Sequence, residues 1–433
     1  MNYTEALDYI HGLQKFGIKL GFERINFLLE ALGNPHEKLK AVHIAGTNGK
    51  GSTSAMITSI LKESGFKVGQ FTSPYLERFT ERIQIFQGNL DQSDIPETQV
   101  LEFVKNAKPV VEKMKTVGIG EPTEFEFVTA MCFSYFEKCK VDIAVVEVGL
   151  GGRLDSTNVI KPLVSVITPI SLDHTGILGD NLRDISREKA GIIKPESSVI
   201  CGRQPQEALG IIKNKCFEAN SPFYIYGKDF CAVEKEFDEN GQVFDIHGIN
   251  DNYHEVYIPL LGKHQQQNAA NAVASIELLN LKGLQIDKAS IYEGLKKVKW
   301  PGRMEILAKS PTVLIDGAHN PAGAEVLAET IKTFFKYKKL VLVIGVLADK
   351  DFTEIVSILG PLADKVVITK PESPRALEPE RLRKEFEKFD CSVAVEPNIV
   401  KAVETGLSMA GQNDMVCFTG SLYLIGKVRS IIL

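Results

Sequence analysis

Short apolar, β-branched runs alternate along the chain with stretches of helical length. Strands are predicted at Ala41–Ala45, Val68–Thr72, Val141–Val148, Leu163–Thr168, Ser198–Cys201, Val313–Ile315, Leu340–Gly345, Lys365–Thr369, Val393–Val395 and Met415–Phe418. Several, such as Leu340-Val341-Leu342-Val343-Ile344, are apolar on consecutive positions instead of alternating. A strand with no polar face is covered on both sides, as in a parallel sheet flanked by helices. Helices fill the gaps at the spacing of βαβ units, which predicts α/β architecture twice over. Tyr224 to Pro259 breaks the pattern with short alternating strands and the turn Glu239-Asn240-Gly241, the mark of a small antiparallel insertion. A helix from His264 to Leu281 follows. The stretch Lys297–Arg303 holds the only Trp, a Pro and a Gly, and a fresh βαβ series begins after it. The expected domains are therefore residues 1–297 and 298–433.

Length agrees, since 433 residues exceed one ordinary domain of about 100–200. The chain is 44% hydrophobic and 24% charged, which excludes disordered, collagenous and disulfide-stapled classes. A net charge of −5 gives no basic footprint for nucleic acid. Apolar runs such as Leu340–Ala348 stop short of the roughly 18–20 residues a membrane span needs. The opening residues carry acids where an export signal needs positive charge. Seven cysteines without a C-x-x-C pair suit scattered thiols in a reducing cytoplasm. A cytoplasmic monomer without nucleic-acid or membrane partners is the expectation.

The sharpest chemistry lies in His43-Ile44-Ala45-Gly46-Thr47-Asn48-Gly49-Lys50-Gly51-Ser52-Thr53. An apolar strand runs into a Gly-rich loop, and a helical pattern follows at Met56, Ile57, Ile60 and Leu61. That is the context of a phosphate-binding loop. Glycines let backbone N–H groups turn inward, and the helix N-terminus adds positive potential. Lys50 would bring a full charge to the β/γ-phosphates, with a hydroxyl at Ser52 or Thr53 near the metal position. The match to G-x-x-x-x-G-K-[ST] is imperfect, with Ile44 at the first Gly and Gly51 where Ser or Thr belongs.

The G-T-N-G-K-G-S form of this loop resembles that of the Mur-ligase-type ATP-dependent amide ligases, and within them the folylpolyglutamate synthase / dihydrofolate synthase family. Further similar stretches follow in family order: GFERI at Gly21–Ile25, TSPYLERFTERI at Thr72–Ile83, EVGLGGRLDSTN at Glu147–Asn158, SLDHTGILG at Ser171–Gly179, EKAGIIK at Glu188–Lys194, WPGRME at Trp300–Glu305, DGAHNP at Asp316–Pro321 and TGSLYL at Thr419–Leu424. The resemblance implies a P-loop ATPase-type, doubly wound parallel sheet with the antiparallel insertion, and a smaller C-terminal α/β domain for glutamate ligation.

Ligands collect at the carboxyl ends of strands in open α/β sheets. Ser73, Glu147 and His174 all follow predicted strands. Glu147 and Ser73 offer hard oxygens suited to Mg²⁺, and a salt bridge from Glu147 to Arg153 is the alternative. The resemblance makes Ser73, Glu147 and His174 metal ligands. It adds Lys189 as a carbamate ligand for a second Mg²⁺, where the charged run Arg187-Glu188-Lys189 by itself reads as a solvated helix face. His264, Asn268, Asn271 and Ser275 share one helix face, which fits a ligand contact, an inter-domain contact or solvent. By resemblance ATP is bound by Gly46, Thr47, Asn48, Gly49, Lys50, Gly51, Ser52, Asn268, Arg303 and Asp316. Catalysis falls to Lys50, His174, Lys189, Asp316 and His319, and ATP is expected between the two domains.

Thr123-Glu124-Phe125-Glu126-Phe127 opens a helix, with an N-cap threonine and core phenylalanines as the plain reading. In the family Thr123 and Phe125 touch the pterin, and Asp155, Ser156 and Thr157 lie beside it. The loop Ser73–Arg82, with Arg78 and Arg82, is cationic enough to meet the glutamate tail or close over the site. The implied reaction is ATP-dependent addition of L-glutamate to reduced folates through an acyl phosphate. The G-L-G-G-R-L-D pattern around Arg153 extends it to dihydropteroate. The alternatives are a monofunctional dihydrofolate synthase, a cell-wall Mur ligase and a P-loop nucleotide switch. No G-x-S-x-G elbow or H-E-x-x-H supports a hydrolase or a zinc enzyme.

Overall fold

Strand β1 (Ala41–Ala45) is buried at all five positions, His43 in its middle together with the four apolar residues. The computed structural model describes residues 1–13, 21–88 and 90–433. In it, β1 joins β2 (Val68–Phe71), β3 (Ile83–Gln87), β4 (Leu90–Asp94), β5 (Ile143–Glu147), β6 (Val164–Ile167), β7 (Ser198–Cys201) and β8 (Phe223–Ile225) in one sheet of order β4-β3-β2-β5-β1-β6-β7-β8. β1 pairs in parallel with both β5 and β6, in a register that sets Ile44 beside Glu147 and Ala45 beside Ile167. The carboxyl ends of these three strands therefore lie side by side. Only β3 and β4 run antiparallel to their neighbours.

The sequence pattern predicts the central strands to within a residue or two, but not β3, β4 and β8. β8 is three residues long, and β3 alternates, with Ile83 and Ile85 buried and Gln87 exposed. Buried strands announce themselves by continuous hydrophobicity; edge strands do not.

The insertion forms β9 (Cys231–Asp238), β10 (Gly241–His247) and β11 (Asn252–Ile258), in the order β11-β10-β9. Its predicted turn is an Asx turn, in which the Asp238 carboxylate accepts from Asn240 N at 2.7 Å and Gly241 N at 3.2 Å. A third sheet holds β12 (Glu305–Lys309), β13 (Thr312–Ile315), β14 (Leu340–Ile344), β15 (Lys365–Ile368), β16 (Ser392–Val395) and β17 (Met415–Thr419), in the order β12-β13-β17-β14-β15-β16. It is parallel except for the edge strand β12.

The chain divides into two compact units. The first comprises Met1–Val233, Asp245–Val256 and Gln267–Lys297. The second comprises Glu234–Phe244, Tyr257–Gln266 and Val298–Leu433, so it takes two stretches of the insertion region along with the C-terminal series.

Within the first unit the helix Lys50–Glu63, which carries the phosphate loop's lysine, packs against the helix Lys288–Lys297. Contact is closest at Gly294, where a Cβ would stand 2.4 Å from Ile60 Cα and 2.7 Å from its amide nitrogen. Backbone cannot yield as a flexible side chain would. Gly294→Ala is therefore expected to destabilise the chain by about 1–3 kcal/mol, read as a lower urea midpoint at unchanged slope.

Candidate active site

The loop after β1 turns at Gly46 and Gly49, whose φ values of +152° and +88° admit no ordinary side chain. Space forbids one too. A Cβ on Gly46 would meet Thr168 Oγ1 at 1.8 Å, and one on Gly49 would meet Asn268 Oδ1 at 2.6 Å. Asn268 thus packs directly on the loop. Thr47 N donates to Pro169 O at 2.9 Å and Thr47 Oγ1 to Ser171 O at 3.0 Å, which fastens the loop to the segment after β6. Asn48 N reaches the same Pro169 carbonyl at 3.4 Å. Lys50, Gly51 and Ser52 form the first turn of the helix Lys50–Glu63.

Two ammonium groups converge on this loop. Lys50 Nζ donates to Gly46 O at 3.1 Å and Thr47 O at 3.0 Å, and Lys189 Nζ donates to the same Gly46 O at 2.8 Å. Lys189 is only 6% exposed, so the solvated helix face that its charged neighbours suggested is not what forms. Burial, then the nearby charge of Lys50, pulls its pKa down to about 7, against the opposing pull of Asp173 and Asp155.

Glu147 ends β5 and is 5% exposed. Its Oε1 lies 4.0 Å from Lys50 Nζ and its Oε2 3.3 Å from Ser73 N. The structure thus brings Ser73 and Glu147 together at the phosphate loop's edge. Arg153 is not Glu147's partner. Its guanidinium holds Glu188 Oε1 at 2.8 and 2.9 Å, one residue before Lys189. His174 follows β6 in the left-handed region at φ 52°, its amide donating to Asp173 Oδ1 at 2.8 Å. Such a conformation in a non-glycine residue carries strain and is frequent at functional sites. Among the described residues no group of three His, Cys, Asp or Glu side chains is placed to hold a metal ion. A set built from Ser73 and Glu147 is of a different kind.

The helix Glu124–Lys138 begins with a capping box. Thr123 Oγ1 accepts from Glu126 N, and Glu126 Oε2 takes the Thr123 amide at 2.7 Å and its hydroxyl at 3.0 Å. Arg24, from the GFERI stretch, binds the same carboxylate at 3.1 Å. Thr123 is thereby committed to the helix start. Phe125 stacks on Phe71 with ring centroids 5.9 Å apart and presses on Gly149, where a Cβ would come within 2.4 Å of the ring. Arg82 is turned inward, 12% exposed, over the Tyr75 and Phe79 rings and 3.5 Å from Glu124 Oε1, so it does not project as a free cation toward a substrate tail. Arg78 pairs with Asp94 at 3.1 Å. Asp155, Ser156 and Thr157 are all buried beside the turn that follows Glu147.

In the second unit, Asp316 follows β13. Its Oδ2 accepts from Met304 N at 2.9 Å and its Oδ1 from Ala318 N at 2.8 Å. Burial raises its pKa, while the Arg303 charge and the two amides oppose the rise. Glu305 Oε2 accepts from Gly302 N at 2.8 Å, and both Glu305 oxygens are held by Arg429 Nε at 3.0 and 3.2 Å. Two carboxylates therefore grip the backbone on either side of Arg303. The grip holds Met304 at φ 47°, beside Gly302 at 75°. The Arg303 guanidinium lies over Gly317, where a Cβ would be 2.2 Å from Nη1. His319 Nδ1 lies 2.7 Å from Gly317 O; a carbonyl only accepts, so the proton is on Nδ1. His264 is held neutral, its pKa lowered to about 4 by burial and by the Arg303 charge.

Comparison with known proteins agrees with this geometry. Residues 97–276 match the Mur ligase middle domain and residues 302–422 the Mur ligase glutamate ligase domain. The dihydrofolate synthase/folylpolyglutamate synthase of Bacillus subtilis is 39% identical over 431 residues, which is 99% of this chain and 98% of that protein. The chain belongs to the folylpolyglutamate synthase / dihydrofolate synthase family of Mur ligases. The folylpolyglutamate synthase of Mycobacterium tuberculosis, complexed with ADP and AMPPCP, superposes with a TM-score of 0.92 at 34% identity, covering 100% of this chain and 99% of that one. Escherichia coli FolC in complex with DHPP and ADP gives 0.89 at 30% identity, covering 100% and 98%.

Sequence reasoning gave no role to Arg24, Glu305, Arg429 or His43. Arg24 and Glu305 stand inside family-like stretches, and that was their only signal. Arg429 lies in the last helix with no motif around it.

Two predictions follow from these contacts. Asp316→Ala leaves the Met304 and Ala318 amides without their acceptor, and each such buried donor costs about 1–3 kcal/mol. Urea unfolding is expected to register that loss. The second concerns His43, wholly buried in β1, whose pKa burial lowers to about 3, with a smaller effect of the Lys194 charge. The unfolded chain takes up this proton near pH 6.5 and the folded chain does not. Stability linked to His43 is thus complete above pH 6.5 and is lost as pH falls from there toward 3. His43→Leu should flatten the fall in urea midpoint between pH 6.5 and 4.5, and an unchanged slope would contradict it.

Proposed function

We propose that the chain joins L-glutamate to a folate-type carboxylate with hydrolysis of ATP, lengthening the tail of reduced folates and also converting dihydropteroate to dihydrofolate. The observation that carries the reading is the meeting of the phosphate loop, Lys50, Lys189 and Glu147 at one sheet edge. The double activity is supported by the names of relatives. That of Bacillus subtilis carries both activities, while a Lacticaseibacillus casei relative, 34% identical, is named folylpolyglutamate synthase alone.

The substrate carboxylate attacks the γ-phosphorus of ATP and ADP leaves. Lys50 and the N-terminus of the helix Lys50–Glu63 meet the charge that develops on the phosphoryl group. The amino group of L-glutamate then attacks the acyl carbon, phosphate departs, the nitrogen gives up its proton and the amide remains. Orientation carries such chemistry, with no enzyme nucleophile. In the second unit, Arg303, set over Gly317, is the candidate cation for an anionic group, and His319 lies in the neighbouring Asp316–Pro321 stretch.

Glu147 is a buried carboxylate whose Oε2 takes the Ser73 amide, and together with the Ser73 hydroxyl it makes a hard-oxygen pair of the kind that suits a cation. His174, in the segment that follows β6, is the third candidate ligand. A Mg²⁺ held there would supply positive charge to the phosphates. A pKa near 7 leaves the Lys189 amine partly neutral, the form that reacts with carbon dioxide, so a carbamate at Lys189 is the candidate ligand for a second ion. Phe125, backed by the buried Phe71, gives the aromatic wall for a pteridine, with the Gly149–Asp155 turn beside it. Seven free thiols suit a cytoplasmic enzyme.

Purified protein should release ADP only when glutamate and an acceptor, dihydropteroate or tetrahydrofolate, are both present. A nucleotide switch would hydrolyse ATP alone. Lys50→Ala is expected to lower turnover about 10²–10³-fold. Lys189→Arg should be inactive, because a guanidinium stays protonated, whereas acetate should partly restore Lys189→Ala. A fully active Lys189→Arg enzyme rules out the carbamate.

A further inference from the structure

His43 sits in the middle of β1, three residues before Gly46, and no step above uses it. Its Nε2 lies 2.9 Å from Thr157 Oγ1, and that oxygen lies 2.5 Å from Asp155 Oδ1. Burial raises the Asp155 pKa, yet both of its oxygens take backbone amides, Oδ1 from Thr157 and Oδ2 from Leu150, so the carboxylate is the accepting partner here. The Thr157 hydroxyl therefore donates to Asp155 and must accept from His43 Nε2–H. This fixes the tautomer and leaves a lone pair on Nδ1, which is buried with no hydrogen-bond partner. A buried polar atom in that condition costs about 1–3 kcal/mol, which a leucine in the same strand would avoid. The residue is thus poorly explained by packing alone.

At the far end of the chain of bonds, Asp155 gathers a turn. It accepts from Thr157 N at 3.0 Å, from Leu150 N at 2.8 Å and from the Gly149 amide. Gly149 is where that turn presses on Phe125. The turn starts two residues after Glu147, and the bonds of Asp155 fall on Gly149, Leu150 and Thr157, beyond the end of β5, so they govern the aromatic wall.

We propose that His43 is a positioning residue for the acceptor-side wall, acting through Thr157 and Asp155 on the Gly149–Asp155 turn. The proposal rests on the reading of Phe125 and this turn as the wall that meets the pteridine. His43 orders the hydroxyl of Thr157, the hydroxyl orders one carboxylate oxygen, and the carboxylate sets the amides that place Gly149 against the ring. Binding of the acceptor depends on that chain, and binding of ATP does not.

The test uses Thr157→Val, which removes the hydroxyl and keeps the shape, Thr157→Ser, which keeps the hydroxyl, and His43→Leu. KM for tetrahydrofolate and for ATP, kcat and thermal midpoint are measured on the full chain. Thr157→Val should raise KM for the folate about tenfold and leave KM for ATP within about twofold, while Thr157→Ser stays near the unmodified chain. The double variant with His43→Leu should be no worse in folate KM than Thr157→Val alone, because one chain of bonds is broken either way. Nitrogen NMR should show His43 protonated on Nε2. A change in thermal midpoint with both KM values unmoved, equal shifts in the two KM values, or a proton on Nδ1 overturns the proposal. If the unmodified chain releases no ADP with either acceptor, it is the functional reading that fails, and the NMR result still reports on the His43 bond itself.

Discussion

One backbone oxygen, Gly46 O, accepts hydrogen bonds from two lysines, and most of the first unit's site follows from that arrangement. Like charges about 4 Å apart near a protein surface repel by about 4 kcal/mol. A chain selected only for stability would not bring them together. Glu147, Asp173 and Asp155 lie close enough to offset part of the charge. What remains is a concentration of positive potential at the carboxyl edge of three adjacent strands, where an anionic ligand gains and a neutral one does not. The parallel order β5-β1-β6 is what makes this edge, because it puts the exits of all three strands on one side.

The second unit solves a smaller problem by a similar route. A single arginine has to be aimed, and long side chains are hard to aim by packing. Here the backbone is fixed first, with carboxylates on the amides before and after Arg303, and the side chain then has little freedom left. Arg429 supports this from the last helix, 124 residues away in sequence.

How much of this was legible follows the physics of each signal. The buried parallel strands were readable because nothing but continuous apolar sequence can line both faces of a covered strand. Strands at an edge or next to one, such as β12 and β3, keep a polar side and blur into loops. The phosphate loop was readable because its glycines, lysine and flanking elements are local. Lys189 was misread from its charged neighbours, although Ile185, four residues earlier on the helix Leu182–Ala190, is buried and marks the inward face. The alternative partner for Glu147, Arg153, goes instead to Glu188, 35 residues further along, a contact that no local signal announces. The stripe Asn268, Asn271 and Ser275 was readable as a face, but its burial was not, since a polar stripe looks alike against solvent and against a loop.

Lys189 has a consequence for anyone who tries to improve this molecule. A lysine amine taken out of water beside a second lysine costs folding energy, and many apolar replacements would relieve it. Selection for heat resistance alone would therefore be drawn to position 189 among its early gains. On the role proposed above for Lys189, variants collected in that way would be robust, well expressed and without ligase activity. Survival after heating and turnover have to be scored together for this chain, because at this residue the two qualities pull in opposite directions.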